Sequence, residues 1–92
     1  MLFCLTCIDK PGAMDLRLAN RDAHLKYWGA ADCVRIGGPF ISDDGEAMLG
    51  SMLVIDVADR TAAEQLVEGD PYTTAGLFQS KDIRAWKWLL KE

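Results

Sequence analysis

The chain has 92 residues, half of them apolar, with 14 acidic against 10 basic side chains and a formal charge of −4. That length holds one small domain, residues 1–92, with a modest core, and the apolar fraction excludes a disordered chain. No basic cluster is present to track a phosphate backbone, so nucleic acid is excluded as an expected partner, and no run of about 18 apolar residues offers a membrane span. The start, MLFCLTCIDK, lacks the basic residue and small-residue cleavage pattern of a signal peptide, and three cysteines are not the even, dense set of a secreted disulfide scaffold. A reducing, cytoplasmic setting is expected.

Leu2 to Ile8 is an apolar, strand-compatible run closed by Asp9, Lys10, Pro11 and Gly12, which is turn chemistry. From Ala13 to about Ala31 the spacing turns helical: Met14, Leu18, Leu25 and Trp28 fall on one arc, with Arg17 and His24 at its edge and Arg21 inside it. Val34 to Phe40 is a second strand containing the GGPF stretch, which reads as a turn or bulge. The acidic loop SDDGEA leads to a third strand, Met48 to Val57, apolar on both faces, with Ser51 on the face of Leu53 and Ile55. Asp59 to Glu68 has a second helical pattern, with Thr61 and Glu64 spaced as a capping box. After GDPYTTAG, in which Asp70 and Pro71 are suited to cap and open a short helical turn, Leu77 to Leu90 forms the last strand, with Ile83 and Ala85 on one face and Arg84 and Trp86 on the other.

The order β-α-β-β-α-β predicts an α+β, ferredoxin-like fold, with a four-stranded antiparallel sheet and both helices on one face. A sheet apolar on its second face in so short a chain calls for a cover, and a homodimer packed sheet against sheet is expected.

His24 is the only histidine. Its place at the rim of an apolar arc suits either a partly buried ring satisfied by a local hydrogen bond or a general acid or base at a pocket edge, which would need an orienting partner. Arg21 suits either a surface ion pair or a grip on a substrate carboxylate or enolate oxygen. Asp70 caps a turn, and the same carboxylate has lone pairs left to orient a histidine. Tyr72 follows on that turn as a packing residue or a hydrogen-bond donor to a ligand. Cys4 and Cys7 form a C-x-x-C, but residues three apart in a strand point to opposite faces, so neither a bridge nor a shared metal is expected. The spacing of Asp43, Asp44 and Glu46 fits no calcium loop.

RDAHL, GGPF, DDGEAMLGS and DPYTTAGLF, in this order, resemble the YciI-like proteins (YCII-related domain) within the dimeric α+β barrel group, and the likeness runs over nearly the whole chain. The resemblance implies a ferredoxin-like subunit that dimerises into an α+β barrel, with a His-Asp catalytic pair carried here by His24 and Asp70. It implies a small enzyme without metal or organic cofactor, performing acid-base chemistry on a small organic molecule, of the isomerase or dehydrochlorinase type. Arg21, Ser51 and Tyr72 are then the candidate ligand contacts. The alternative is a non-catalytic dimer that binds a small metabolite; an RNA-binding sheet of the same topology is disfavoured by the acidic balance.

Overall fold

A computed structural model of the chain describes residues 1–91. The elements run β1 (Leu2–Asp9), α1 (Met14–Ala31), β2 (Val34–Ile41), β3 (Met48–Asp56), α2 (Arg60–Gly69), α3 (Pro71–Thr74) and β4 (Phe78–Trp86). The strands form one four-stranded sheet in the order β2-β3-β1-β4, with every neighbouring pair antiparallel. This is the ferredoxin-like arrangement: β1 lies between β3 and β4, and each helix returns the chain across the sheet.

Alternation along β1 decides which face becomes the core. Phe3, Leu5, Cys7 and Asp9 are buried, whereas Leu2, Cys4 and Thr6 are half-buried and Ile8 is exposed. Phe3 pairs with Ile55 and Leu5 with Leu53, so the same face of β3 joins the core, where Trp28 of α1 and Ala63 and Val67 of α2 pack on it. Both long helices therefore cover one face. The other face carries Leu2, Cys4, Ile8, Ile36, Met52, Val54 and Trp86 by register, with Ile8, Ile36 and Trp86 exposed. Cys4 and Cys7 lie on opposite faces, as strand alternation requires.

Local chemistry sets the element ends, in places differently from expectation. Asp59, rather than Thr61, caps α2: its carboxylate accepts from the Ala62 amide at 2.9 Å, while Thr61 is exposed on the first turn. The earlier carboxylate wins because a longer-range charge at the helix N-terminus is the better acceptor for its free amides. GGPF is regular ladder, Gly37 to Phe40 opposite Leu53 to Gly50, and the register shifts flank it instead. Pro39 is tolerated because β2 is an edge strand. A side chain at position 37 would collide with Leu53, so glycine there keeps the strand close to the core. The last strand stops at Trp86 rather than Leu90, and Leu89 and Leu90 are exposed.

The largest departure is in α1. Leu18 and Leu25 face solvent at 51% and 52% exposure, Arg21 is exposed with them, and the buried residues are Arg17, His24 and Trp28. Helical periodicity holds, but the face that packs on the sheet carries polar groups. Burying a guanidinium and an imidazole costs free energy unless each meets a partner, and those partners define the site.

Candidate active site between helix one and the sheet

Asp70 joins α2 to α3. Its extended backbone (φ −60°, ψ 127°) makes it the cap of the turn opened by Pro71. Its Oδ1 accepts from the Tyr72 amide at 2.9 Å and lies 2.8 Å from His24 Nδ1, and its Oδ2 accepts from Trp28 Nε1 at 3.0 Å. His24 and Trp28 are one turn apart on α1, so one helix face aims two ring nitrogens at one carboxylate. The Tyr72 amide and the indole can only donate, and His24 completes the set by donating from Nδ1, which leaves the Nε2 lone pair as the free basic position of the neutral ring. Capping and contact with the histidine coexist on Asp70.

Tyr72 is 1% exposed, and its ring stacks on the His24 imidazole, with centroids 3.9 Å apart and planes 15° from parallel. The Arg17 guanidinium lies 4.6 Å from the same ring. Arg17 and His24 are two helical turns apart, a rise of roughly 10 Å, so the tyrosine ring inserts between them, and Phe78 closes its edge at 5.9 Å. Burial pushes the phenol above its ordinary pKa, opposed by the positive charge of Arg17.

Arg17 is 3% exposed. It grips Asp9, the last residue of β1, with Nε to Oδ2 at 2.7 Å and Nη2 to Oδ1 at 3.0 Å, and Nη2 also donates to Ser51 Oγ at 2.9 Å. Burial alone would lower its pKa, but the hydrogen bonds and charge of Asp9 outweigh it and hold the guanidinium above its ordinary range. Register explains the meeting: Asp9 continues the buried face of β1, and Ser51 pairs with Cys7 on that face.

These groups wall a cavity of about 340 Å³. Arg17, Arg21, His24, Ser51 and Tyr72 form its polar side, and Leu25, Trp28, Val34, Met48 and Leu53 its apolar side, with Gly37, Gly38 and Pro39 along the edge strand. Four of the five residues singled out in the sequence thus line one cavity, and the fifth, Asp70, stands behind His24. Arg17, Asp9 and Trp28 were not singled out. The signal for Arg17 was its place seven residues before His24, which puts both on one helix face.

A model of the YCII-related domain matches residues 1–87. The chain belongs to the YCII-related domain family. Among solved structures, this YCII-related chain is similar to the 5-chloro-2-hydroxyhydroquinone dehydrochlorinase TftG from Burkholderia phenoliruptrix AC1100, in complex with 2,5-dihydroxybenzoquinone. The two are 34% identical over 95% of this chain and 94% of that one, with a TM-score of 0.87. Two further structures share the fold alone. One is an antibiotic biosynthesis monooxygenase, 14% identical over 97% of this chain and 99% of that one, with a TM-score of 0.59. The other is Rv0793 from Mycobacterium tuberculosis, 17% identical over 98% and 97%, with a TM-score of 0.60. No curated protein matches the chain. The likeness to TftG supports a small enzyme of the YciI type.

Proposed function

We propose that the protein is a cofactor-independent acid-base enzyme acting on a small hydroxylated ring compound, with His24 as the proton-transfer group and Asp70 as its orienting partner. The single observation that carries this reading is the 2.8 Å contact between His24 Nδ1 and a buried carboxylate, in a histidine that also lines a cavity. Fixing Nδ1 as a donor holds one tautomer and offsets the charge of the imidazolium that forms when Nε2 takes a proton. A cavity of about 340 Å³ is at the small end of ligand sites, which suits a single ring. The printed name and ligand of TftG, a dehydrochlorinase bound to a dihydroxybenzoquinone, point to the same class.

The chemistry needs no outside electrons. Removing a ring hydroxyl proton and returning a proton to ring carbon makes a keto tautomer. Where that carbon bears a halogen, halide leaves as a second hydroxyl proton departs, so HX is lost in total. Isomerisation is the same sequence without the leaving group. General acid-base catalysis of this kind contributes about 10² to 10⁴ in rate, enough for a substrate already activated by its own hydroxyls.

The apolar second face of the sheet supports a homodimer packed through that face, and the free cysteines Cys4, Cys7 and Cys33 suit a reducing cytoplasm. The test is a screen of chlorinated hydroquinones and lactones, followed by chloride release and absorbance, with native protein, His24→Gln and Asp70→Asn. Conversion by the native protein that is lost in His24→Gln is the expected result. Binding of these compounds with conversion of none would replace the enzyme by a metabolite-binding dimer.

A further inference from the structure

Helix α2 delivers the chain to Asp70 by breaking its own hydrogen-bond pattern. In a continuing helix the Leu66 carbonyl would accept from the Asp70 amide. Here the Asp70 amide donates to the Val67 carbonyl at 3.2 Å, a tighter last turn, and the backbone then becomes extended. The Leu66 carbonyl is taken instead by the hydroxyl of Tyr27, which donates to it from α1 at 2.6 Å. Burial, and then the charges of Asp70 and Cys33, push that phenol above its ordinary pKa, so it keeps the proton it donates. Gly69 fits the same contact. Its backbone is not in the left-handed region, so conformational freedom gives no reason for a glycine, which weakens a helix relative to alanine. Space does: a Cβ at position 69 would stand 2.5 Å from Tyr27 Oη and 3.2 Å from Cζ. The helix gives up a side chain so that the hydroxyl can reach the carbonyl.

We propose that Tyr27, seated against Gly69, is a positioning residue for the His24–Asp70 pair: by fixing where α2 ends, it holds the Asp70 carboxylate within hydrogen-bond reach of His24 Nδ1. This rests on the acid-base reading above and extends it to a residue that touches neither substrate nor the reacting atoms. Neighbouring residues of α1 divide the task. Trp28 holds the carboxylate itself through Nε1, and Tyr27 holds the backbone that presents it. The two rings meet edge to face at 5.4 Å, so each limits the movement of the other. The helix that carries the histidine therefore also sets the place of its carboxylate, and the distance between them is fixed within one packed unit. Among the described residues Tyr27 does not line the cavity. Its loss should therefore act on the rate through the orientation of His24, and leave binding of a small molecule in the cavity unchanged.

The test is nitrogen NMR of the His24 imidazole, at a pH where the ring is neutral, in the native protein, Tyr27→Phe, Gly69→Ala and the double variant. The two ring shifts report which nitrogen carries the proton. The native ring is expected in the single form protonated at Nδ1. Tyr27→Phe keeps the ring and removes only the donor, and it should give a mixture of the two tautomers, as should Gly69→Ala. The double variant should be no worse than either single change, because removing Oη opens the nearest approach from 2.5 to 3.2 Å. Native-like shifts in Tyr27→Phe overturn the proposal even where its thermal midpoint falls, since the bond is then only structural; a native ring with mixed tautomers overturns it too. Should Gly69→Ala not fold, Tyr27→Phe carries the test alone. With 5-chloro-2-hydroxyhydroquinone as the turnover probe, kcat in Tyr27→Phe should fall about tenfold or more at unchanged KM. If the tautomer shifts but the native protein converts nothing, the positioning role stands and the acid-base reading falls. If the native protein converts the probe and Tyr27→Phe does so equally well, the reading stands and the positioning role falls.

Discussion

Asp9 and Asp70 are both buried carboxylates that hold a side chain of α1, and they do so in opposite ways. Asp9 meets a permanent cation in a two-point grip. Asp70 meets two neutral N–H donors and one titratable ring. The first arrangement is a fixed ion pair, held at two points by a planar guanidinium. In the second the carboxylate keeps the Tyr72 amide and the Trp28 indole as donors beside the histidine ring. Within one helix face the chain separates a structural anchor from the histidine proposed to transfer protons, and they can be perturbed separately.

The largest effect is expected at the anchor. Arg17→Met leaves Asp9 buried without a partner and should destabilise the fold by about 3–5 kcal/mol, a large share of the stability of a small domain, visible as a lower urea midpoint. Combining it with Asp9→Leu should recover most of that loss, since no stranded charge remains. At Asp70 the order reverses. His24→Gln should cost about 10² to 10⁴ in turnover, while its urea midpoint moves far less, because Tyr72 and Trp28 still satisfy the carboxylate. A His24→Gln midpoint as low as that of Arg17→Met would abolish the distinction.

Cys7 lies on the buried face of β1 and senses both carboxylates. Burial, and then the charges of Asp70 and Asp9, push its thiol from the ordinary 9.0 up to about 12, against the opposing charges of Lys81 and Arg17. A thiol that holds its proton more tightly when folded favours the native state below about pH 9, and that contribution is lost as pH rises from 9 towards 12. Cys7→Ala should therefore flatten the alkaline fall of the urea midpoint, and at pH 8 iodoacetamide should reach Cys7 after Cys4 and Cys33. The smallest effect concerns an exposed carboxylate with no buried partner: Asp59→Ala should cost about 1 kcal/mol and Thr61→Ala under about 0.5, read from thermal midpoints.

Most of the fold was legible because the punctuation is strong. Pro11 and Gly12 end β1, Asp70 and Pro71 open α3, and alternation in β1 and β3 separates two faces. The orientation of α1 was not, for a physical reason. Reading the buried face from apolar spacing assigns Leu18 and Leu25 inward, yet the sheet beneath supplies Asp9 and Ser51, and polar partners on the sheet select polar partners on the helix. His24, Asp70 and Tyr72 were visible through residue chemistry and turn geometry. Arg17 was hidden because an arginine among leucines reads as a surface residue until its carboxylate is known to be buried, and that depends on strand register rather than local sequence.

The bond from the Trp28 indole to Asp70 makes the protein its own optical probe. Trp28 is 5% exposed, whereas Trp86 stands out from the sheet. In an isolated subunit an aqueous quencher therefore reaches Trp86 before Trp28, whose indole N–H is tied to the carboxylate that also holds His24. Whatever enters the cavity should then change the share of the emission that comes from Trp28.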